Sequence, residues 1–513
     1  MNKEIELFLT PSEAANQDKT KRAIAKKCGI PFKDVAYYKI LRRSIDSRHK
    51  PLYRLRVFVS TEQPKLEKKI KNYQDVSSKN AVIIVGAGPC GLFAALKLIE
   101  CGLKPIIVER GKRIEERKKD IAAIARNKEL NTESNWCFGE GGAGTFSDGK
   151  LYTRSNKRGN IKEIQETFVA IGADEDIIID AHPNIGTDRL SRIIKNIRAK
   201  ILECGGEYHF NSKVIDFLLK DNCVYGIKLA DGSTLEAKSV ILACGHSARE
   251  IYELFANKSW AIEAKPFAMG VRVEHSQELI NKVQYNSEHY SKLLPAASYS
   301  LTHNVGNRGV FSFCMCPGGM IIPSSTEKGQ LVVNGMSSSL RNSQFANSGI
   351  VVSITEADAT KFASEGALSL MRFQQECERK MYIDKQIAPA QRIGDFMANR
   401  TSQNLCRSSY PSGLYACNMN EFLPKIVSDT LQQGFAVFDR KIAGFVSNDA
   451  LMIGLEARTS SPVRIPRDKD SMQHLQLKNL YPCGEGAGYA GGITSSAIDG
   501  VNAAIKIAET LAQ

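Results

Sequence analysis

With 513 residues, 43% hydrophobic and 24% charged, the chain is too long for one ordinary core and has the composition of a soluble protein of two or three domains. No run approaches the ~20 consecutive apolar residues of a membrane span, and the start MNKEIELFLTPSE lacks the regions of a secretory signal. The 13 cysteines are odd in number, scattered and without any CxxC. That pattern argues against a disulfide scaffold or a zinc ribbon and fits a reducing, cytoplasmic compartment, with no metal site expected.

The net charge of +14 is uneven: residues 1 to 80 hold 19 Lys and Arg against 9 Asp and Glu, and the rest of the chain holds 50 against 46. An electrostatic partner is therefore to be sought at the N-terminus. There, residues 1–75 read as strand, helix, strand, strand. Glu4 to Leu9 alternates apolar and polar, Lys19 to Cys28 is helical and closed by Gly29, and Val35 to Ile45 and Leu52 to Val59 have strand composition. This suggests a small basic α+β module of ferredoxin-like type, followed by a polar, lysine-rich linker from Glu62 to Asn80. Its cations, Lys21, Arg22, Lys26 and Lys27 on the helix and Arg42, Arg43, Arg48, Lys50, Arg54 and Arg56 on the strands, suit either a nucleic-acid surface or a solvated face. Tyr37, Tyr38 and Tyr53 suit either base stacking or sheet packing.

Next comes AVIIV at 81–85, then GAGPCG, a helix, and KPIIV: a βαβ unit in about 30 residues. Gly86 permits the tight turn after the strand, Gly88 lets backbone approach a pyrophosphate, and Gly91 allows close helix packing, with Pro89 and Cys90 completing the loop. The helix that follows aims its free N–H groups at the phosphates. Eighteen residues after Gly91, Glu109 ends the next strand, where a carboxylate accepts ribose hydroxyls, with Arg110 beside it. This pattern fits either NAD or FAD. A second GxGxxG, Gly139 to Gly144, has no strand before it and no helix after it, so it reads as a loop lying against a cofactor, with Gly141, Gly142 and Gly144 as approach points. Helices near 160–170 and 188–203, a hairpin at Asp231-Gly232 and a strand through Val240 to Ala243 follow. The chain then changes character until about Val446, and ends with a strand (Leu480 to Cys483), a glycine loop and a helix starting near Ser495.

VERG at 108–111, SVILACGHSA at 239–248 and NLYPCGEGAGYAGGITSSAIDG at 479–500 resemble the glutathione-reductase superfamily of FAD proteins, in its branch with a split FAD domain. The resemblance implies that Ala243 and Gly245 return the chain to the dinucleotide. It also implies that Gly484 and Glu485 stand where a Gly-Asp motif holds the ribityl chain, one methylene longer. Gly492, Ile493 and Thr494 then open a helix whose dipole would stabilise negative charge on the reduced ring. At finer grain, FGEGGAGTFSDGKL, KPFAMGVRVEH, FCMCPGG, NGMS and GLEARTSSPVR are similar to an uncharacterised bacterial family of FAD-dependent (NAD/FAD-utilising) dehydrogenases. That likeness implies non-covalent FAD. NADH or NADPH would be a donor only without a dedicated Rossmann domain, since no other segment forms one.

The expected architecture is α/β: the module at 1–75, a Rossmann-like FAD-binding domain built from 80–250 and 451–513, and an inserted substrate domain at 251–450. The expected function is an oxidoreductase moving hydride or electrons at flavin N5. An RNA-associated flavoprotein recruited by the module and a non-catalytic flavin binder are the alternatives. Candidate catalytic groups each carry two readings. His246 would face the flavin or cap a helix. Arg272 and Glu274 share a strand face and would bind a substrate carboxylate or form an ion pair, and Arg458, two residues after Glu456, reads the same way. Cys314 and Cys316, on one face of a strand, would exchange electrons with a flavin or hold a metal, or be small buried hydrophobes.

Overall fold

The computed structural model describes residues 1–65, 71–126, 129–153, 159–287 and 291–512. Part of the expected linker, residues 66–70, therefore lies outside the described residues. Among the described residues no helix is long and apolar enough to cross a membrane.

The N-terminal strands Asn2–Leu9, Tyr37–Asp46 and Leu52–Ser60 form an antiparallel sheet with the last of them in the centre. The helix Gln17–Cys28 is capped at its start by the Asn16 side chain on the Lys19 N–H, 3.0 Å, and stops at Gly29, φ 69°. Its Ile24 and Ala25 pack on the inward positions Ile5, Leu7, Leu9, Leu55, Val57 and Val59. Three strands and one helical face make a βαββ unit. The ferredoxin-like expectation is corrected accordingly, since that pattern needs a fourth strand and a second helix. The module is docked: Arg43 donates to Asp180 (2.7 and 3.1 Å) and Asp176 (2.9 Å), and the Ala181 N–H bonds the Arg43 carbonyl. Arg48 faces Asp46, Arg54 faces Glu6 and Arg56 faces Glu4, so much of the basic strand surface already has carboxylate partners.

A five-stranded parallel sheet follows, ordered Leu480–Pro482, Val240–Leu242, Ala81–Val85, Lys104–Val108, Glu207–His209. Both faces are covered, which is why its strands are continuous apolar runs without alternation. Val82 and Ile84 pack against the helices Pro89–Glu100, Thr187–Glu203 and Ile493–Ala512. Ile83 and Val85 pack on the opposite face, with Phe217, Ile227, Tyr252 and Phe255 from a small antiparallel sheet and the helix Arg249–Asn257. The last helix begins at Ile493, two residues earlier than the sequence indicates.

The third core belongs to a seven-stranded sheet. Its order is Thr302–Val305, Arg308–Cys316, Phe345–Ile354, Phe267–Ser276, Leu451–Glu456, Ala388–Arg392 and Leu414–Ala416. The Leu451–Glu456 strand sits beside the middle strand, so it belongs with this sheet and not with the C-terminal dinucleotide segment. The helix Arg249–Asn257 lies on the parallel sheet, which moves the other boundary beyond residue 257. The local strand pattern at 451–456 is the same for either sheet, and only pairing distinguishes them.

Candidate functional site

The chain ends of the parallel strands turn toward the antiparallel sheet around a cavity of ≈ 360 Å³. This is the carboxyl edge of a parallel sheet, where open α/β folds bind ligands. At one end its wall is Gly86, Gly88, Pro89, Cys90, Glu109, Arg110, Ser212 and Glu250; at the other it is Asp148, Lys150, Tyr152, Phe313, Cys314 and Asn334. Between them lie Gly142 and Gly144, the Ala243-to-Ser247 return, Arg458, Glu485 and the 491–493 helix start.

The first glycine loop is shaped by the protein itself. A Cβ on Gly86 (φ +110°) would stand 2.4 Å from the Ala243 carbonyl oxygen, and one on Gly91 would stand 2.0 Å from the Gly86 carbonyl oxygen. Gly88 differs. Its φ is −80° and a Cβ there would meet only Gly142 Cα, at 3.9 Å. Gly491 and Gly492 likewise have nothing within 4 Å of an added Cβ and no positive φ. These three face open cavity where neither packing nor backbone conformation demands glycine, which is the cradle a closely approaching dinucleotide would fill. Gly88→Ala is therefore expected to keep the wild-type melting temperature of the flavin-free protein while losing at least tenfold in flavin affinity, read by thermal denaturation of the apoprotein and by the flavin released on heating.

Glu109, 5% exposed, accepts from the Ala87 N–H (2.9 Å), the Gly111 N–H (2.9 Å) and the Gly139 N–H (3.0 Å). An ionised carboxylate has about four acceptor positions, so one remains for a ribose hydroxyl. Arg110 is held by Glu133 (2.7 Å) and Glu250 (2.7 Å) and lies 3.8 Å over the Phe138 ring. The second glycine loop lies against the first: the Gly141 N–H bonds the Ala87 carbonyl at 2.8 Å, and Gly142 abuts Gly88. Gly91, Gly141, Gly484 and Thr494 are behind the wall, not on it. The Thr494 hydroxyl is turned away to donate to the Leu151 carbonyl, 2.7 Å, which pins the 138–151 loop to the helix start.

His246 Nδ1 lies 3.2 Å from Glu485 Oε1, on the wall, yet its direction satisfies no hydrogen bond. A polar atom buried at a cavity edge without a partner is one that a ligand oxygen or nitrogen would complete. Arg272 and Glu274 do not pair with each other; the ion pair that Arg272 forms is with Glu456. Arg272, fully buried, bonds Glu456 at 2.5 Å, Asn334 and Asn347 at 3.0 Å each, and the Cys314 carbonyl. Glu274 accepts from the Ser409 N–H and hydroxyl, and burial raises its pKa. Burial pushes Glu456 up to about 7 against the pull of Arg272. Arg458 meets Glu378 (3.0 and 3.1 Å), Ser247 (2.8 Å) and Thr326 (3.0 Å). Cys314 and Cys316 lie at the strand end, with Cys314 on the wall and Cys316 behind it.

Lys150, Asp148, Tyr152 and Asn334 were not singled out from the sequence. TFSDGKL and NGMS carry them, but nothing local shows that two segments almost 200 residues apart share a wall. Lys150 donates to the Met315 carbonyl, and Asp148 is clasped by Arg341 (3.1 Å from Nε). Among the described residues no group of three or more His, Cys, Asp or Glu is placed to hold a metal ion.

A glycine-lined cavity at the carboxyl edge of a parallel sheet, with a buried carboxylate after the second strand, suits a dinucleotide, and the matching families make the chain an FAD-binding flavoprotein. An FAD binding domain matches residues 79–122, an FAD-dependent protein C-terminal domain-like family matches 266–459, and a domain of unknown function (DUF8436) matches 1–60. The chain belongs to the same family as a Clostridium beijerinckii protein described as uncharacterized, 39% identical over 513 residues and 95% of each chain. Solved structures similar to it include the flavin-dependent brominase Bmp2 (13% identity, TM-score 0.39, covering 85% of this chain and 80% of that one). Another is a geranylgeranyl bacteriochlorophyll reductase-like protein from Thermoplasma acidophilum (13%, TM-score 0.35, 85% and 80%). A third is CtdE in complex with FAD (12%, TM-score 0.34, 83% and 84%).

Proposed function

We propose that the protein is an FAD-dependent oxidoreductase that passes hydride or electrons between the flavin and a small substrate at the Asp148–Lys150–Asn334 end of the cavity. One observation carries the reading: glycine turns from three distant segments, at 86–91, 142–144 and 491–492, converge on one cavity whose far end carries Asp148 and Lys150 and is lined in part by the antiparallel-sheet domain. The sheet is assembled from 81–108, 207–242 and 480–482 with the antiparallel domain spliced between, which supports a split, glutathione-reductase-like FAD fold.

On this reading Glu109 would hold the ribose, Gly88, Gly142 and Gly144 the pyrophosphate, Glu485 and His246 the ribityl chain, and the 491–493 helix start the flavin ring. The bound cofactor supplies the hydride or electron transfer chemistry. The chain supplies position and field. The free N–H groups at the start of the Ile493–Ala512 helix would stabilise negative charge on a flavin ring held there, and Lys150 places a cation at the polar end.

The test is an absorbance spectrum of purified protein followed by anaerobic titration with NADH and then NADPH. A flavin band bleached by either donor identifies a nicotinamide-driven reductase. A flavin band that neither bleaches leaves a substrate-reduced dehydrogenase or a non-catalytic flavin binder, which titration with candidate substrates separates. Protein retaining NAD in place of flavin overturns the reading.

A further inference from the structure

Where the seven-stranded sheet reaches the cavity, the strand Arg308–Cys316 loses its regular pairing. Its partner register with Phe345–Ile354 holds from Val310 to Phe313 and then slips before Cys316, which faces Asn347. The slip is accompanied by a left-handed backbone at Cys314, φ 45°, a conformation unfavourable for a residue with a side chain. Such bulges re-aim side chains beside functional sites. Here the result is a stacked pair: Cys314 stands on the cavity wall and Cys316, 0% exposed, stands behind it. The Cys316 thiol donates back to the Cys314 carbonyl at 3.2 Å, and each thiol shifts the titration of the other.

The backbone around the pair is held by cations. Arg272 donates to the Cys314 carbonyl and stands 3.8 Å from the Cys316 sulfur, and Lys150 donates to the Met315 carbonyl. The neighbouring Cys316 side chain holds the Cys314 thiol well below the usual thiol range, against its burial, with Lys150 and Arg272 assisting; Cys316 moves upward. Cysteines that only fill space in this molecule behave differently. Burial pushes Cys377 and Cys417 up to about 12, and neither is on the cavity wall. A thiolate stabilised by cations, accessible from a cofactor cavity and backed by a second thiol is the arrangement of a reactive pair.

We propose that Cys314 and Cys316 form a redox-active dithiol that exchanges two electrons with the flavin. In one direction the Cys316 S–H bond breaks and its sulfur joins the Cys314 thiolate in an S–S bond, while two electrons and the Cys316 proton pass to oxidised FAD, solvent supplying the second proton of the fully protonated reduced flavin. In the other direction reduced FAD returns them and the S–S bond opens. Cys314 is the sulfur that meets the flavin and Cys316 closes the bond. This role rests on the FAD reading of the cavity.

The test uses the FAD-loaded full chain, oxidised with diamide, freed of the reagent and titrated anaerobically with dithionite. Samples before and after titration are denatured, alkylated with N-ethylmaleimide and mapped by peptide mass. The expected electron uptake per flavin in the wild type is twice that of Cys314→Ser or Cys316→Ser. The peptide carrying both cysteines is expected to be unalkylated and two hydrogens lighter before titration, and doubly alkylated after it. Should the serine variants not fold, the wild-type uptake of four electrons or two and its peptide masses decide alone. Bound flavin with two-electron uptake and both thiols always alkylated overturns the dithiol and leaves the FAD reading standing. Protein without flavin overturns both.

Discussion

Glu109→Ala is expected to emerge from purification nearly free of flavin and with a clearly lowered melting temperature. The Glu109 carboxylate caps three backbone donors, from Ala87, Gly111 and Gly139, at 2.9 to 3.0 Å in a site 5% exposed. Alanine leaves those donors buried without partners, at about 1–3 kcal/mol each, and a total on the order of 3 kcal/mol is expected after local relaxation. Flavin loss adds to this, because the remaining acceptor position that would meet the ribose disappears with the carboxylate. Glutamine is not a rescue, since its NH2 group would point a donor at backbone donors. The flavin-to-protein absorbance ratio and a thermal melt read both effects. Full flavin content in Glu109→Ala would place the adenosine elsewhere.

Glu378→Ala should cost still more stability. Fully buried on the helix Ser369–Lys380, Glu378 takes two bonds from Arg249 (2.9 and 2.8 Å) and two from Arg458 (3.0 and 3.1 Å). Arg249 starts a helix under the parallel sheet and Arg458 follows a strand of the antiparallel sheet, so one carboxylate ties the two domains. Without it Arg458, 6% exposed, loses its carboxylate partner and Arg249, 4% exposed, is left with Glu327 (2.7 Å), and removing one partner of a buried ion pair costs about 3–5 kcal/mol. Flavin retention should fall as well, since Arg458 lines the cavity and holds Ser247.

The pH dependence has a definite sign. Burial alone would raise the Glu378 pKa, but Arg249 and Arg458 outweigh it and set the folded value below the ordinary 4.5. The stabilisation is thus fully present above the unfolded pKa and is lost as pH falls through the folded one. Urea midpoints measured from neutral pH into the acid range should fall less steeply in Glu378→Gln than in the wild type. An equal slope would show that other carboxylates govern acid unfolding.

Local pattern carried much of this protein. The AVIIV strand, the glycine turn and Glu109 are all legible because strand, turn and helix start are set by residues within a few positions of one another, and the same holds for the Gly29 stop. Even the second glycine loop was legible as a non-Rossmann segment, from the absence of a strand before it.

Tertiary structure decided the partners. Strand alternation put Arg272 and Glu274 on one face, yet the arginine found Glu456, because the neighbouring strand crosses at a bulge between Gly270 and Arg272. The basic first module read as a free charged surface until Arg43 met Asp176 and Asp180, more than 130 residues away. The cations beside Cys314 come from residues 150 and 272. By itself the sequence determined which turns and strands can cradle a dinucleotide, since those are properties of short stretches of backbone. Which charges neutralise one another, and which thiols face the cavity, depends on sheet pairing and domain docking. Those bring together side chains that no local spacing relates.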